Sequence, residues 1–148
     1  MAFHFTLKGL LRLRQSLELA ELQKLQVIAG TIARARAEIE SVEKGIDERR
    51  RTFGDLLAVG LTGAEWQFEL AREASVRALL SDLVKNLADL EAKRKVQQAS
   101  YVRVHRQCEI LLSLQDRQLA AYKLEEARRT QQRIDELFII RRVHNAPK

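Results

Sequence analysis

The segment Ala58-Val59-Gly60-Leu61-Thr62-Gly63-Ala64-Glu65-Trp66 constrains the fold most, because it interrupts two long helical patterns with a full set of stop and start signals. Gly60 is placed to close a helix in the left-handed conformation, and Thr62 with Glu65 has the S/T-x-x-E spacing of a capping box. Leu61 and Trp66 occupy the two positions of a hydrophobic staple. Together these signals predict a tight turn at residues 60–62.

Each flank of the turn reads as one helix. The first runs from about Thr6 to Val59, and its seam is Ile28, Ile32, Ala35, Ile39, Val42, Ile46, Arg49 and Phe53, in steps that alternate four and three. The second runs from Gly63 to about Val143. One row of its seam is Leu80, Leu87, Arg94, Tyr101, Cys108, Gln115 and Tyr122; the other is Leu83, Leu90, Gln97, Val104, Leu111 and Gln118. With the turn at 60–62, facing residues have numbers totalling about 122. Ile46 then faces Val76, Val42 faces Leu80, Ile39 faces Leu83, Ala35 faces Leu87, Ile32 faces Leu90 and Ile28 faces Arg94. Because two separately read registers agree, the expected fold is all-α, a long two-helix antiparallel coiled-coil hairpin with a longer C-terminal helix, one domain over residues 1–148.

Composition agrees: one proline, 5% aromatic and 31% charged residues suit coiled helices better than a globular interior. Gly30, Gly45 and Gly54 each cost about 1 kcal/mol against alanine inside a helix, so the first arm is expected to be the weaker. Glu40/Lys44, Asp47/Arg51, Glu73/Arg77, Asp89/Lys93, Glu91/Lys95 and Glu125/Arg129 place acid four residues before base, in the favourable orientation. At 1.5 Å per residue the arms measure about 80 and 120 Å. The second should therefore continue unpaired beyond about Asp116, with Leu119, Tyr122, Ile134, Leu137, Phe138, Ile139, Ile140 and Val143 on it. Apolar residues on an unpaired helix indicate a binding surface or a dimer seam.

Other function classes find little support. No apolar run is long enough to cross a bilayer, and no secretory signal is evident, so a soluble cytoplasmic protein is expected. The acid-free start with Phe3, Phe5, Leu7, Leu10, Leu11, Arg12 and Arg14 allows a basic membrane segment, but its pattern runs unbroken into the first arm; Thr6 as cap with Leu7, Leu10, Leu11 and Leu17 on a partner helix is the simpler reading. Cys108 reads as a small core residue. His4, His105 and His144 are scattered, and His105 with Cys108 supplies two ligands where structural zinc needs about four, so no metal or cofactor is expected. Without a phosphate loop or cleft signature no catalytic residue is assigned and the chain reads as a non-enzyme. Two alternatives stand: nucleic-acid binding through Lys93, Arg94, Lys95, Arg103 and Arg106 on a chain of net charge +6, and a structural dimer joined through the unpaired helix.

Three stretches in order point to one family. Phe3, Phe5, Leu7, Leu10, Leu11 and Arg14, then Gly60-Leu61-Thr62 with Trp66, then Leu114-Gln115-Asp116-Arg117-Gln118 with Glu126, Arg128 and Asp135-Glu136 resemble FliJ, the coiled-coil component of the bacterial flagellar type III export apparatus. The resemblance implies a non-enzymatic stalk, similar in shape to the gamma stalk of rotary ATP synthases, that promotes assembly and activity of the export ATPase FliI hexamer. It also implies contact with the cytoplasmic domain of the gate protein FlhA, handling of export chaperones, an association with FliH, and a place on the cytoplasmic face of the inner membrane. On this expectation Phe5, Leu10, Leu11, Leu137, Phe138 and Ile140 meet the ATPase ring. The family's gate-contact positions correspond here to Glu38, Val42, Gly45, Arg49, Arg72, Val76, Leu79 and Leu83, of which Val42, Val76 and Leu79 are the expected contacts. Leu79 alone of those three lies off the seam.

Overall fold

The computed structural model describes residues 3–145. Two long helices pack together: α1, Lys8–Val59, and α2, Gly63–His144. No strand occurs among the described residues. Two compact units emerge, unit 1 from Met1–Glu18 with Arg103–Lys148 and unit 2 from Leu19–Val102.

Unit 2 contains the turn, with the predicted glycine stop and capping box. Gly60 has φ of 103°, which favours a residue without Cβ, and its N–H donates to the Leu56 carbonyl at 3.1 Å. The Thr62 N–H donates to the Glu65 carboxylate at 2.8 Å while the Glu65 N–H donates back to Thr62 Oγ1 at 3.3 Å, the reciprocal pair of a capping box. The bond from the Thr62 N–H holds the Glu65 carboxyl below its usual range. The Trp66 ring rests on Phe53, with centroids 5.3 Å apart.

Within unit 2 the first-arm seam is covered throughout. Ile32 and Ala35 are buried, and Ile28, Ile39, Val42, Ile46, Arg49 and Phe53 are half-buried. On α2, Leu80, Leu83, Leu87, Leu90 and Gln97 are half-buried. Arg94 departs from expectation and is exposed, because the apolar residues expected opposite it leave a guanidinium better served by water. Cross-helix partners fall along α2 as they rise along α1: Glu21 with Gln97, Arg36 with Glu91, Arg49 with Glu69 and Phe53 with Trp66. Glu91 thus pairs with Arg36 of the other helix at 2.7 Å, in place of the expected Lys95. Of the intrahelical pairs, Glu40–Lys44 and Glu73–Arg77 form in this unit, at 2.8 and 2.6 Å.

In unit 1 the first helix starts two residues later than expected. Lys8 N–H donates to the Phe5 carbonyl at 3.2 Å in a turn that carries Phe5 inward, where it is 3% exposed, so Thr6 is not the cap. Leu11 and Cys108 are also buried, whereas Leu10 and Leu17 are exposed rather than packed. Phe3 meets Tyr122 with ring centroids 5.7 Å apart. Residues 3–7 therefore extend the covered part of α2 past Asp116 to Tyr122, and Leu119 and Tyr122 are half-buried rather than unpaired. Beyond Tyr122 every described residue of α2 is exposed.

Removing the Thr62 hydroxyl leaves an orphan N–H at the α2 start, so Thr62→Ala is expected to lower stability by about 1 kcal/mol. Gly60→Ala forces a Cβ into positive φ and is expected to cost about 1–2 kcal/mol. Thermal and urea melts followed by circular dichroism check both.

Candidate partner-binding surfaces

Three features stand out: an apolar helix surface and a polar cluster in unit 1, and a groove in unit 2. The helix surface is the end of α2. Leu137, Phe138 and Ile140 are 60–68% exposed, and Ile134, Ile139 and Val143 are likewise uncovered. This stretch keeps helical form through bonds within itself. Arg129 pairs with Glu125 at 3.1 Å, Gln131 donates to Asp135 at 2.8 Å, and Arg141, Arg142 and His144 complement the dipole in the last turn. Its apolar side chains thus have nothing of their own chain to cover them among the described residues. Of the remaining expected ring contacts, Leu10 is 40% exposed, but Phe5 and Leu11 are buried against their own unit.

The unit 2 groove has a volume of about 330 Å³ and lies between the arms just behind the turn. Six of the eight family-matched positions line it: Val42, Gly45 and Arg49 from α1, Arg72, Val76 and Leu79 from α2. Glu38 and Leu83 do not line it. Gly45 lines it with no side chain, and a Cβ there would meet nothing within 4 Å. Val42 and Val76 form a half-buried floor, and Leu79 is 49% exposed at the rim. Phe53 and Trp66 supply an aromatic wall. Sequence reading placed these two in the seam and the staple and missed their shared role, although both are bulky residues beside the turn. The Arg49 guanidinium clasps Glu69 across the groove and holds that carboxyl below its usual range; Glu69 in turn raises Arg49.

The polar cluster was also missed. The four-three stepping of the α1 seam continues backward through Leu25 and Glu21 in unit 2 and Glu18, Arg14 and Leu11 in unit 1, all covered to some degree. That unbroken spacing was the available signal, but its polar residues did not read as seam. In unit 1, Arg14 donates to Gln107 at 2.7 Å, and His105 Nδ1 lies 2.5 Å from the Glu18 carboxylate. His105 Nε2 is 3.3 Å from Glu109. The bond to His105 lowers Glu18, the bond to Glu18 raises His105, and burial pushes the neighbouring Cys108 thiol up. Among the described residues no three His, Cys, Asp or Glu side chains converge on a metal position. No helix of the described residues is long and apolar enough to cross a membrane.

Comparison with known proteins gives one family. The model of the flagellar FliJ protein family matches residues 3–148. No curated protein and no solved structure matches the chain.

Burial separates residues that pack from residues left exposed. Ile32→Ala is expected to destabilise by about 2–4 kcal/mol, because a fully covered side chain leaves a cavity. Phe138→Asp, on an exposed face, is expected to change stability by no more than about 0.5 kcal/mol. Urea midpoints at constant slope check the contrast.

Proposed function

The chain belongs to the FliJ family, a component of the flagellar export apparatus, and from that membership we propose that it is the non-enzymatic stalk of the apparatus, an antiparallel coiled-coil hairpin regulating the export ATPase. The observation that carries this reading is the family match over essentially the whole chain. In this role the protein promotes assembly and hydrolysis of the FliI hexamer, contacts the FlhA cytoplasmic domain, and handles export chaperones in company with FliH at the cytoplasmic face of the inner membrane.

The ring contact is assigned to Leu137, Phe138 and Ile140, with Leu10 as the accessible residue that the N-terminal arm contributes. Their exposure supports it, since a helix carrying four apolar residues in succession at 137–140 gains most by entering a dry socket. Phe5 and Leu11 join this contact only where the arm opens, because both are buried when it is closed. The gate contact is assigned to the unit 2 groove, with Leu79 at its rim and Val42 and Val76 at its floor. What supports that assignment is the convergence of residues from both arms on one apolar cleft.

ATP hydrolysis by the cognate export ATPase, measured with and without this protein at fixed salt, tests the reading. Stimulation is expected with wild type. Each lost apolar anchor removes about 2 kcal/mol of binding, so Leu137→Asp with Phe138→Asp should raise the half-maximal concentration by several hundredfold to about a thousandfold while circular dichroism stays unchanged. No stimulation at saturating protein with a working ATPase would sink the function. Leu79→Asp should leave ATPase stimulation intact and weaken binding to the gate domain about tenfold, measured by calorimetry.

A further inference from the structure

His105 stands where a neutral imidazole fits badly. Its Nδ1 is 2.5 Å from the Glu18 carboxylate and its Nε2 is 3.3 Å from the Glu109 carboxylate. A neutral ring has one N–H and one lone pair, so one carboxylate always meets a lone pair; the imidazolium alone donates to both. Glu18 belongs to the α1 arm of unit 1, while His105 and Glu109 belong to α2. The second proton therefore turns the bond between Glu18 of α1 and His105 of α2 from a neutral hydrogen bond into an ion pair.

We propose that His105 is a proton-operated latch that closes the N-terminal arm of unit 1 onto α2, so that deprotonation loosens the arm and uncovers Phe5, Leu11 and Cys108. The charged and titratable groups near the ring come from both helices. From α1, Glu18 faces it, and Arg14, the nearest base of the arm, donates to Gln107. From α2, Glu109 lies one turn along, and the Cys108 thiol, close to the Glu18 carboxylate, is raised above its ordinary range and stays uncharged. Arg103 and Arg106 are exposed. Once the ring loses its proton, Glu18 in its half-covered seam keeps at most a neutral hydrogen bond to the ring and loses its charged partner on α2.

The direction with pH follows. His105 titrates above its ordinary 6.5 in the folded chain, so its contribution is complete below that value and is lost as pH rises through the raised value. Glu18 titrates below its ordinary 4.5, so its contribution is present above that value and is lost only as pH falls through the lowered one. The latch is closed in mildly acid to neutral solution and opens toward alkaline pH. Its bearing on ring binding rests on the reading given above for Phe5 and Leu11, but the latch itself is tested without any ATPase, so either can fail alone.

Amide hydrogen exchange of the full chain, read by mass spectrometry at about pH 6 and about pH 8.5 with intrinsic rates corrected, measures the arm directly. For a partly exposed charge pair, protection of residues 8–18 in wild type is expected to fall by up to about fivefold at the higher pH. His105→Gln and Glu18→Gln should both show the low protection at either pH, with residues 28–46 unchanged as the folding control. Equal protection of the wild-type arm at both values, or a wild-type pH response in His105→Gln, would overturn the proposal.

Discussion

Register in this protein depends on the polar residues set into the seam between its helices. The apolar stretch of Ile28, Ile32, Ala35, Ile39, Val42 and Ile46 against a row of leucines is repetitive, and a one-heptad slip would keep much of its hydrophobic contact. The slip is opposed by polar residues paired across the seam. It would take Arg49 from Glu69 and Gln97 from Glu21, so that a half-covered guanidinium and amide lose their cross-helix bonds. In unit 1 the same task falls to Glu18 with His105 and Arg14 with Gln107. The capping box completes the specification locally, because Thr62 and Glu65 decide at which residue α2 begins.

Local chemistry explains what the sequence made legible. The turn could be read because glycine, capping box and following tryptophan act within a few residues, and no distant contact is needed to interpret them. The apolar seam could be read because its period is the period of the helix. Arg14, Glu18 and Glu21 hold the same spacing, but a hydrophobic pattern search passes over charged residues whose partners lie 76 to 93 positions away. The later helix start and the longer covered stretch of α2 share one cause. Phe5 turns inward and Phe3 reaches Tyr122, contacts that no local propensity encodes. The aromatic wall of the groove escaped for a different reason: Phe53 and Trp66 come from opposite arms, and no local pattern joins residues on either side of the turn.

Two packed helices can each cover one stripe, and the apolar residues of this chain exceed two stripes. Among the described residues Phe5, Leu11, Ile32, Ala35 and Cys108 are buried, whereas Phe68, Leu79, Ile134, Leu137, Phe138, Ile139 and Ile140 remain about half exposed or more. Scattered single residues of this kind are ordinary on a protein surface. A run of four on the last turns of α2, and a cleft with an aromatic wall behind the turn, are not scattered. Two helices without a third layer among the described residues thus leave these surfaces uncovered.

The two kinds of seam differ in what opens them. Ile32 and Ala35 in unit 2 are held by burial, which changes little with pH, and opening that stretch exposes apolar surface at full cost. The arm of unit 1 closes through Leu11 and Phe5 together with charged and amide pairs, each of which exchanges a protein partner for water when it breaks. Its closure therefore costs less to undo, and part of it is conditional on a proton. The division of labour is thus one of chemistry, with the pH-invariant contacts in the apolar seam and the adjustable ones in the polar seam.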